Sequence, residues 1–262
     1  MPESLKIIVR DHVAEITLTR PELLNRVDAR LHRELPEAFT SIRDDQDVRA
    51  VVLAADGRVF SAGGDTELIR SVNADIRERR RAVDEGRALV AALTDLPVPV
   101  VAAVAGHAIG LGATIVLGCD AVVSTPGVRI YDPHVVMGLA AHDGGCLVWP
   151  QAIGMLRARR YLLTGDPVLA EDGYAMGMVT DLVDDAADVL PTARAIAARL
   201  AALPPLAVQG TKRALNAVTK ARAAEVIDTG FAMGLEAMRS RDLIEATDAF
   251  LEKRAPEAFT GS

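Results

Sequence analysis

Apolar and polar residues alternate along the first twenty positions. Leu5–Arg10 and Ala14–Thr19 have the period of two half-buried strands, and Asp11-His12 between them has the turn chemistry of a hairpin. Val48–Ala54 and Val98–Val104 follow a different pattern. They are largely continuous apolar runs bounded by turn signals, as expected of strands buried on both faces. Elsewhere the period lengthens. Asp28–Ile42 carries apolar residues at helical spacing behind an acidic cap, and Asp65 through Leu93 reads as one long amphipathic segment. The arginines in its middle (Arg77, Arg79, Arg80, Arg81) are expected to face solvent rather than bind phosphate. The stretch from Thr192 to Lys253, rich in Ala, Arg and Glu and broken at Pro204-Pro205, predicts several helices joined by short turns. The pattern predicts an α/β core over residues 1–200, with a mixed sheet flanked by helices. A helical C-terminal region over 201–262 is expected to belong to the same functional unit and to be available for packing on a neighbouring subunit.

Composition narrows the partners. The 262 residues are 50% hydrophobic, enough for a large core. A net charge of −7, with one Trp, three Tyr and five Phe, argues against nucleic acid and anionic membrane as partners. Cys119 and Cys146 lie in apolar or Gly-rich surroundings without metal-ligand spacing, the pattern of reduced, buried thiols in a cytosol. The first residues lack a basic region followed by an apolar run, and no apolar stretch is long enough to cross a bilayer, so a cytoplasmic protein is expected.

Three segments carry candidate chemistry. Phe60-Ser-Ala-Gly-Gly-Asp65 and Gly106-His-Ala-Ile-Gly-Leu-Gly-Ala-Thr114 each follow a buried strand and open a helix, so their amides lie where backbone donors and the helix dipole favour an anion. Two such turns aimed at one point would form an oxyanion hole. Neither is a Walker loop, and the second lacks the glycine spacing of a dinucleotide fingerprint. Glycine also serves tight turns for steric reasons alone, so the residues leave both roles open. The third segment, Ile130 to Gly145, gathers His134, His142 and Asp143. His134 is the candidate acid/base group and Asp143 either its partner or a helix cap, while His142 and His107 are expected to be structural. Asp132, His134, His142 and Asp143 are also potential metal ligands, but their irregular spacing and the lack of a second cluster speak against a metal, and none is expected.

The ordered motifs resemble the enoyl-CoA hydratase/isomerase (crotonase) superfamily over nearly the whole chain. They run from Thr19-Arg-Pro-Glu-Leu-Leu-Asn25 through Phe60-Ser-Ala-Gly-Gly-Asp-Thr-Glu-Leu-Ile69, Pro99–Ala113 with Cys119-Asp120, and Leu162-Leu-Thr-Gly-Asp166 with Gly177-Met-Val179, to Phe250-Leu-Glu-Lys-Arg254. The resemblance implies a ClpP-like fold of stacked ββα units, a C-terminal helical trimerisation region and a homotrimer or homohexamer. It also implies an acyl-CoA substrate whose thioester oxygen accepts the amides of Gly64 and Leu111, with no cofactor beyond the coenzyme A of the substrate. Ala62, Asp65, Thr66 and Glu67 then lie near the nucleotide or pantetheine arm. Phe250 and Lys253 match positions that reach the coenzyme A of an adjacent subunit. Leu68, Val72, Met137, Leu139 and Trp149 are expected to line the acyl site.

Departures from the family pattern are as informative. Hydratases of this family use two glutamates, and their positions hold Thr114 and His134 here. The nine-residue spacing from His134 to Asp143 is similar to the β-diketone hydrolase branch typified by 6-oxocamphor hydrolase, although that branch has a histidine where this chain has Leu111. Three readings follow. One is a hydratase-like lyase in which an enolate forms under the Gly64 and Leu111 amides, with His134 and Asp143 as atypical acid and base. The second is a hydrolase of a carbon–carbon bond in a β-diketone or β-keto acyl-CoA, and the third a non-catalytic acyl-CoA binding protein.

Overall fold

A hairpin and a succession of strand–strand–helix turns build the computed structural model, which describes residues 3–262. The chain opens with β1 (Leu5–Arg10), β2 (Val13–Leu18), a 3-10 turn at Pro21–Leu23 and α1 (Ala29–Asp44). The next turn holds β3 (Ala50–Ala55), β4 (Val59–Ser61), α2 (Thr66–Ala74) and α3 (Ile76–Asp95). Then come β5 (Val100–Val104), β6 (His107–Ile109) and α4 (Leu111–Leu117), followed by β7 (Ala121–Ser124), β8 (Arg129–Tyr131), α5 (Gly145–Ile153) and α6 (Met155–Leu162). The remainder is β9 (Val168–Leu169), α7 (Ala170–Met176), β10 (Asp181–Leu182), α8 (Ala186–Ala201), α9 (Pro205–Ala237) and α10 (Arg241–Glu252).

The strands sort into a six-stranded sheet, β1-β2-β3-β5-β7-β10, and a four-stranded one, β4-β6-β8-β9. The predicted hairpin is present, with Asp11 and His12 both at positive φ as a two-residue turn requires. From β2 onward the large sheet is parallel, and its alternating residues divide between two cores. Val51, Leu53 and Ala102 join Leu31, Leu35 and Phe39 of α1. Ala50, Val52, Val101 and Val123 meet Val189, Ala193 and Ala197 of α8. Cover on both faces explains the unbroken apolar runs. A third cluster joins Val72, Val83, Leu139, Phe231 and Leu243, drawn from α2, α3, the loop after β8, α9 and α10.

Several expectations need correction. Residues 65–93 form two helices, not one, because the Asp75 carboxylate accepts the Arg77 N–H at 2.8 Å and starts α3 where α2 ends. Arg79 does not face solvent. It is buried, and its guanidinium donates to the carbonyls of Val72 (2.7 Å) and Asn73 (2.6 Å), capping the C-terminus of α2. Cys146 is exposed rather than buried, whereas burial pushes the Cys119 thiol up to about 12 and leaves it inert. Trp149 lies in the main core against Tyr161, whereas Leu68, Val72 and Leu139 belong to the third cluster.

Lys212 fastens α9 to the large sheet. Its buried ammonium donates to the Val98 carbonyl at 2.8 Å and to Asp120 at 2.6 Å, and Asp120 in turn accepts the Val100 N–H. Lys212→Met is expected to lower stability by about 2 kcal/mol, below the roughly 3–5 kcal/mol of a fully buried broken pair because Asp120 is a third exposed. A urea unfolding curve indistinguishable from wild type would show the tie to be unimportant. Among the described residues, no helix is long and apolar enough to cross a membrane.

Candidate active site

β4 and β6 run parallel and each passes into a helix through glycines. In the first passage the Val27 N–H donates to the Gly63 carbonyl at 2.7 Å and the Asp65 N–H to the Val27 carbonyl at 3.1 Å. A trans peptide points its carbonyl and its N–H in opposite directions, so the Gly63–Gly64 peptide turns the Gly64 N–H away from Val27. Asp65, buried, accepts the Glu67 and Leu68 amides at 2.6 and 3.3 Å as the cap of α2, and pairs with Arg26 at 2.5 Å. In the second passage the Gly110 carbonyl accepts the Thr114 N–H at 3.0 Å, the first bond of α4, which leaves the Leu111 N–H at the open helix start. Among the described residues, neither the Gly64 nor the Leu111 amide donates to any protein group. The two passages touch. Gly63 has φ +81°, and a Cβ there would lie 2.8 Å from the Ile109 carbonyl oxygen; one on Gly110, at φ +54°, would lie 3.8 Å from the Gly63 Cα. Two unspent amides at one junction are able to donate to an oxygen that gains negative charge.

His134 borders that junction. A Cβ on Gly110 would sit 3.6 Å from the His134 Cε1. The ring is held between two buried carboxylates: Nδ1 hydrogen-bonds Asp132 and Nε2 faces Asp143 at 3.3 Å. Asp132 also accepts the His134 backbone N–H at 3.0 Å, while its second oxygen abuts Gly145 at the start of α5, where the helix dipole favours negative charge. Asp143 accepts the Thr114 hydroxyl at 3.3 Å, a second contact to the carboxylate that faces His134. Asp143 does not cap α5; the N-cap is Gly144. Burial opposes charge on His134, but the carboxylates of Asp132 and Asp143 outweigh it and hold its pKa well above the ordinary value. Burial likewise opposes ionisation of Asp143, and the His134 charge and hydrogen bond drive its pKa far below the usual range. The triad is an imidazole ring between two carboxylates that favour its charged form.

His142 completes the wall. Its Nδ1 donates to the Ala140 carbonyl at 2.8 Å, and its ring packs edge-on against His134 and Phe231 at centroid separations of 5.5 and 5.7 Å. Burial lowers its pKa, against the opposing pull of Asp143. Asp132, His134 and Asp143 bring one donor atom each to within 4.8 Å of one another. A cation on Nε2 would displace only the contact to Asp143, and Nδ1 would keep its bond to Asp132. Ala62 and Thr66 are half-buried and Glu67 is exposed, all beside the Gly64 turn. Phe250 and Lys253 are exposed at the end of α10, and no hydrogen bond ties their side chains to the glycine turns among the described residues. Sequence reasoning missed Asp132 as the partner of Nδ1. Its place two residues before His134, after β8, was the available signal.

The family model for enoyl-CoA hydratase/isomerase matches residues 9–261. This chain belongs to the enoyl-CoA hydratase/isomerase family. Among members of the family, it is 32% identical to the 1,2-epoxyphenylacetyl-CoA isomerase of Escherichia coli over the full length of both chains. An enoyl-CoA hydratase/isomerase from Mycobacterium paratuberculosis superposes with a TM-score of 0.91 at 34% identity, covering 95% of this chain and 98% of the other. A β-diketone hydrolase from Anabaena, solved with (S)-3-oxocyclohexyl acetic acid, superposes at 0.83 with 28% identity over 90% and 94% of the two chains. The stacked ββα units and the glycine turns are thus those of an enoyl-CoA hydratase/isomerase family fold, and at the level of the family the substrate class is acyl-CoA.

Proposed function

We propose that this chain is a hydratase-type lyase that adds water to a 2-enoyl-CoA. The observation that carries the proposal is the juxtaposition of the unspent Gly64 and Leu111 amides with a His134 held between two buried carboxylates. The amides stabilise the oxygen of a thioester as it becomes an enolate, and His134 supplies the proton that the α-carbon takes up. Asp132 and Asp143 keep that proton on the ring until the enolate forms. Leu68, Val72 and Leu139, in the third apolar cluster, receive the acyl chain. Coenzyme A enters as part of the substrate, and the scheme draws on no metal or redox group. Leu206, Leu215 and Val218 of α9, with Phe250, are exposed on the single chain, which supports a homotrimer or homohexamer in which a neighbour covers α9 and Lys253 reaches the coenzyme A of that neighbour. We place the protein in the cytoplasm.

A β-diketone or β-keto acyl-CoA hydrolase is the second reading, favoured by the His134–Asp143 spacing and by the Anabaena relative, and opposed by Leu111. Loss of enone absorbance with a short 2-enoyl-CoA separates the two. Wild type is expected to hydrate it and Asp143→Asn to lose about a hundredfold in kcat. An inert wild type that cleaves a cyclic β-diketone would instead establish the hydrolase.

A further inference from the structure

Hydration needs a group to accept a proton from water, and the triad offers none that is both free and reachable, because the unpartnered Oδ2 of Asp132 is sealed from solvent. Both nitrogens of His134 face carboxylates, and the Thr114 hydroxyl is directed at Asp143. His142 is different. A carbonyl only accepts, so the bond to Ala140 fixes the hydrogen on Nδ1 and leaves Nε2 of the neutral ring with a bare lone pair. Nε2 has no hydrogen-bond partner among the described residues, yet it is not sealed from solvent-accessible space. The ring is held firmly. A Cβ on Gly234 of α9 would lie 2.5 Å from its Cγ, and Gly230, one helical turn earlier, faces the His142 backbone. Only a glycine-notched helix admits the imidazole here. His142 also sits where two regions meet, its ring touching His134 on one side and Phe231 of the third apolar cluster on the other. An acyl chain lying in that cluster with its thioester at the glycine turns would pass this junction.

We propose that His142 is the general base that activates water, with His134 as its acid counterpart. The inference rests on the hydratase reading. In the step, water gives a proton to His142 Nε2 as its oxygen bonds to the β-carbon. The electron pair of the double bond moves to the α-carbon and the thioester oxygen, where the Gly64 and Leu111 amides receive the charge. The α-carbon then takes the proton of His134, and the proton on His142 returns to His134 through solvent, which closes the cycle with one water consumed. The charged groups around His142 are consistent with a neutral resting ring. Asp143, Asp132 and His134 come from the loop after β8. Arg87 of α3 lies over the Phe231 ring at 5.2 Å and pairs with Asp228 of α9. Burial and the His134 cation favour neutrality, against the carboxylates.

The test is the pH dependence of 2-enoyl-CoA hydration by wild type and His142→Gln, with thermal melts of both. The expected result is a fall in kcat of about a hundredfold, a KM within about threefold of wild type, and disappearance of the acidic limb of the kcat profile. A folded His142→Gln that keeps wild-type kcat and the same limb overturns this inference and leaves the hydratase reading standing. A wild type that hydrates no enoyl-CoA overturns both. Nitrogen-15 ring signals of the wild-type protein give a second measurement that needs no variant. A neutral His142 with its hydrogen on Nδ1 beside a charged His134 supports the assignment, and a charged His142 at neutral pH overturns it.

Discussion

Gly63→Ala is expected to abolish detectable turnover of acyl-CoA thioesters and to lower stability by about 2–4 kcal/mol. Two effects add. At φ +81° a side chain costs backbone strain wherever it lies, and here its Cβ would also come within 2.8 Å of the Ile109 carbonyl oxygen. That atom is backbone, one residue before Gly110, so relief requires moving one glycine turn away from the other. Spreading the turns separates the Gly64 and Leu111 amides, and loss of one oxyanion donor alone costs about a hundredfold or more in kcat. Gly127→Ala supplies the control. Gly127 has the same φ of +81° but open space around its Cβ position, so strain alone remains, roughly 1 kcal/mol, with kcat unchanged. Equal turnover by Gly63→Ala and Gly127→Ala would remove the oxyanion role from this junction.

Asp132→Asn is expected to keep the fold and change the pH dependence. Asn can still accept the His134 backbone N–H, but it removes the leading charge that raises the His134 pKa. The sign follows directly. A raised histidine pKa stabilises the cation, so the charged form persists to higher pH in wild type than in the variant. The alkaline limb of kcat therefore moves toward acid in Asp132→Asn, with activity at pH 8 down by about a hundredfold and partly restored on acidification. A uniform loss at all pH values would make Asp132 merely structural. Stability obeys the same linkage. The raised His134 pKa contributes fully below roughly pH 6.5 and is lost as pH climbs through the folded value, and the lowered Asp143 pKa contributes above roughly pH 4 and is lost as pH falls. The cluster stabilises most between those limits, and a denaturation midpoint that rises steadily into alkali would contradict it.

Much of this was legible in the residues. The hairpin, the two-faced strands and the Asp28 cap follow from period and turn chemistry, which depend only on neighbours in sequence. The small sheet was not, because β4, β6, β8 and β9 are two or three residues long and show no period. Arg79 illustrates a second limit. Its charge favours solvent, and only the break at Asp75 produces the bare carbonyls that draw it inward. In the site, spacing and family resemblance pointed to the glycine turns, His134 and Asp143. The choice between cap and acid/base partner for Asp143 depended on where Gly144, at φ +106°, turns the chain. The seat of His142 was not legible either, because the residues that shape it, Gly230, Phe231 and Gly234, are about ninety positions away and become neighbours only when α9 folds back.

That distant contact bears on whether the chain can be divided. A boundary near residue 200 separates the sheets from the last two helices on paper, but the notch that seats His142 belongs to α9, and the Lys212 ammonium fixes the height at which that notch meets the sheet. Sliding α9 by one residue would put a side chain where Gly234 now admits the imidazole. Insertions or deletions between Lys212 and Gly230 should therefore be tolerated far less readily than equal changes beyond Ala237, and a drift in the length of that segment would reset the active site without altering any residue in it.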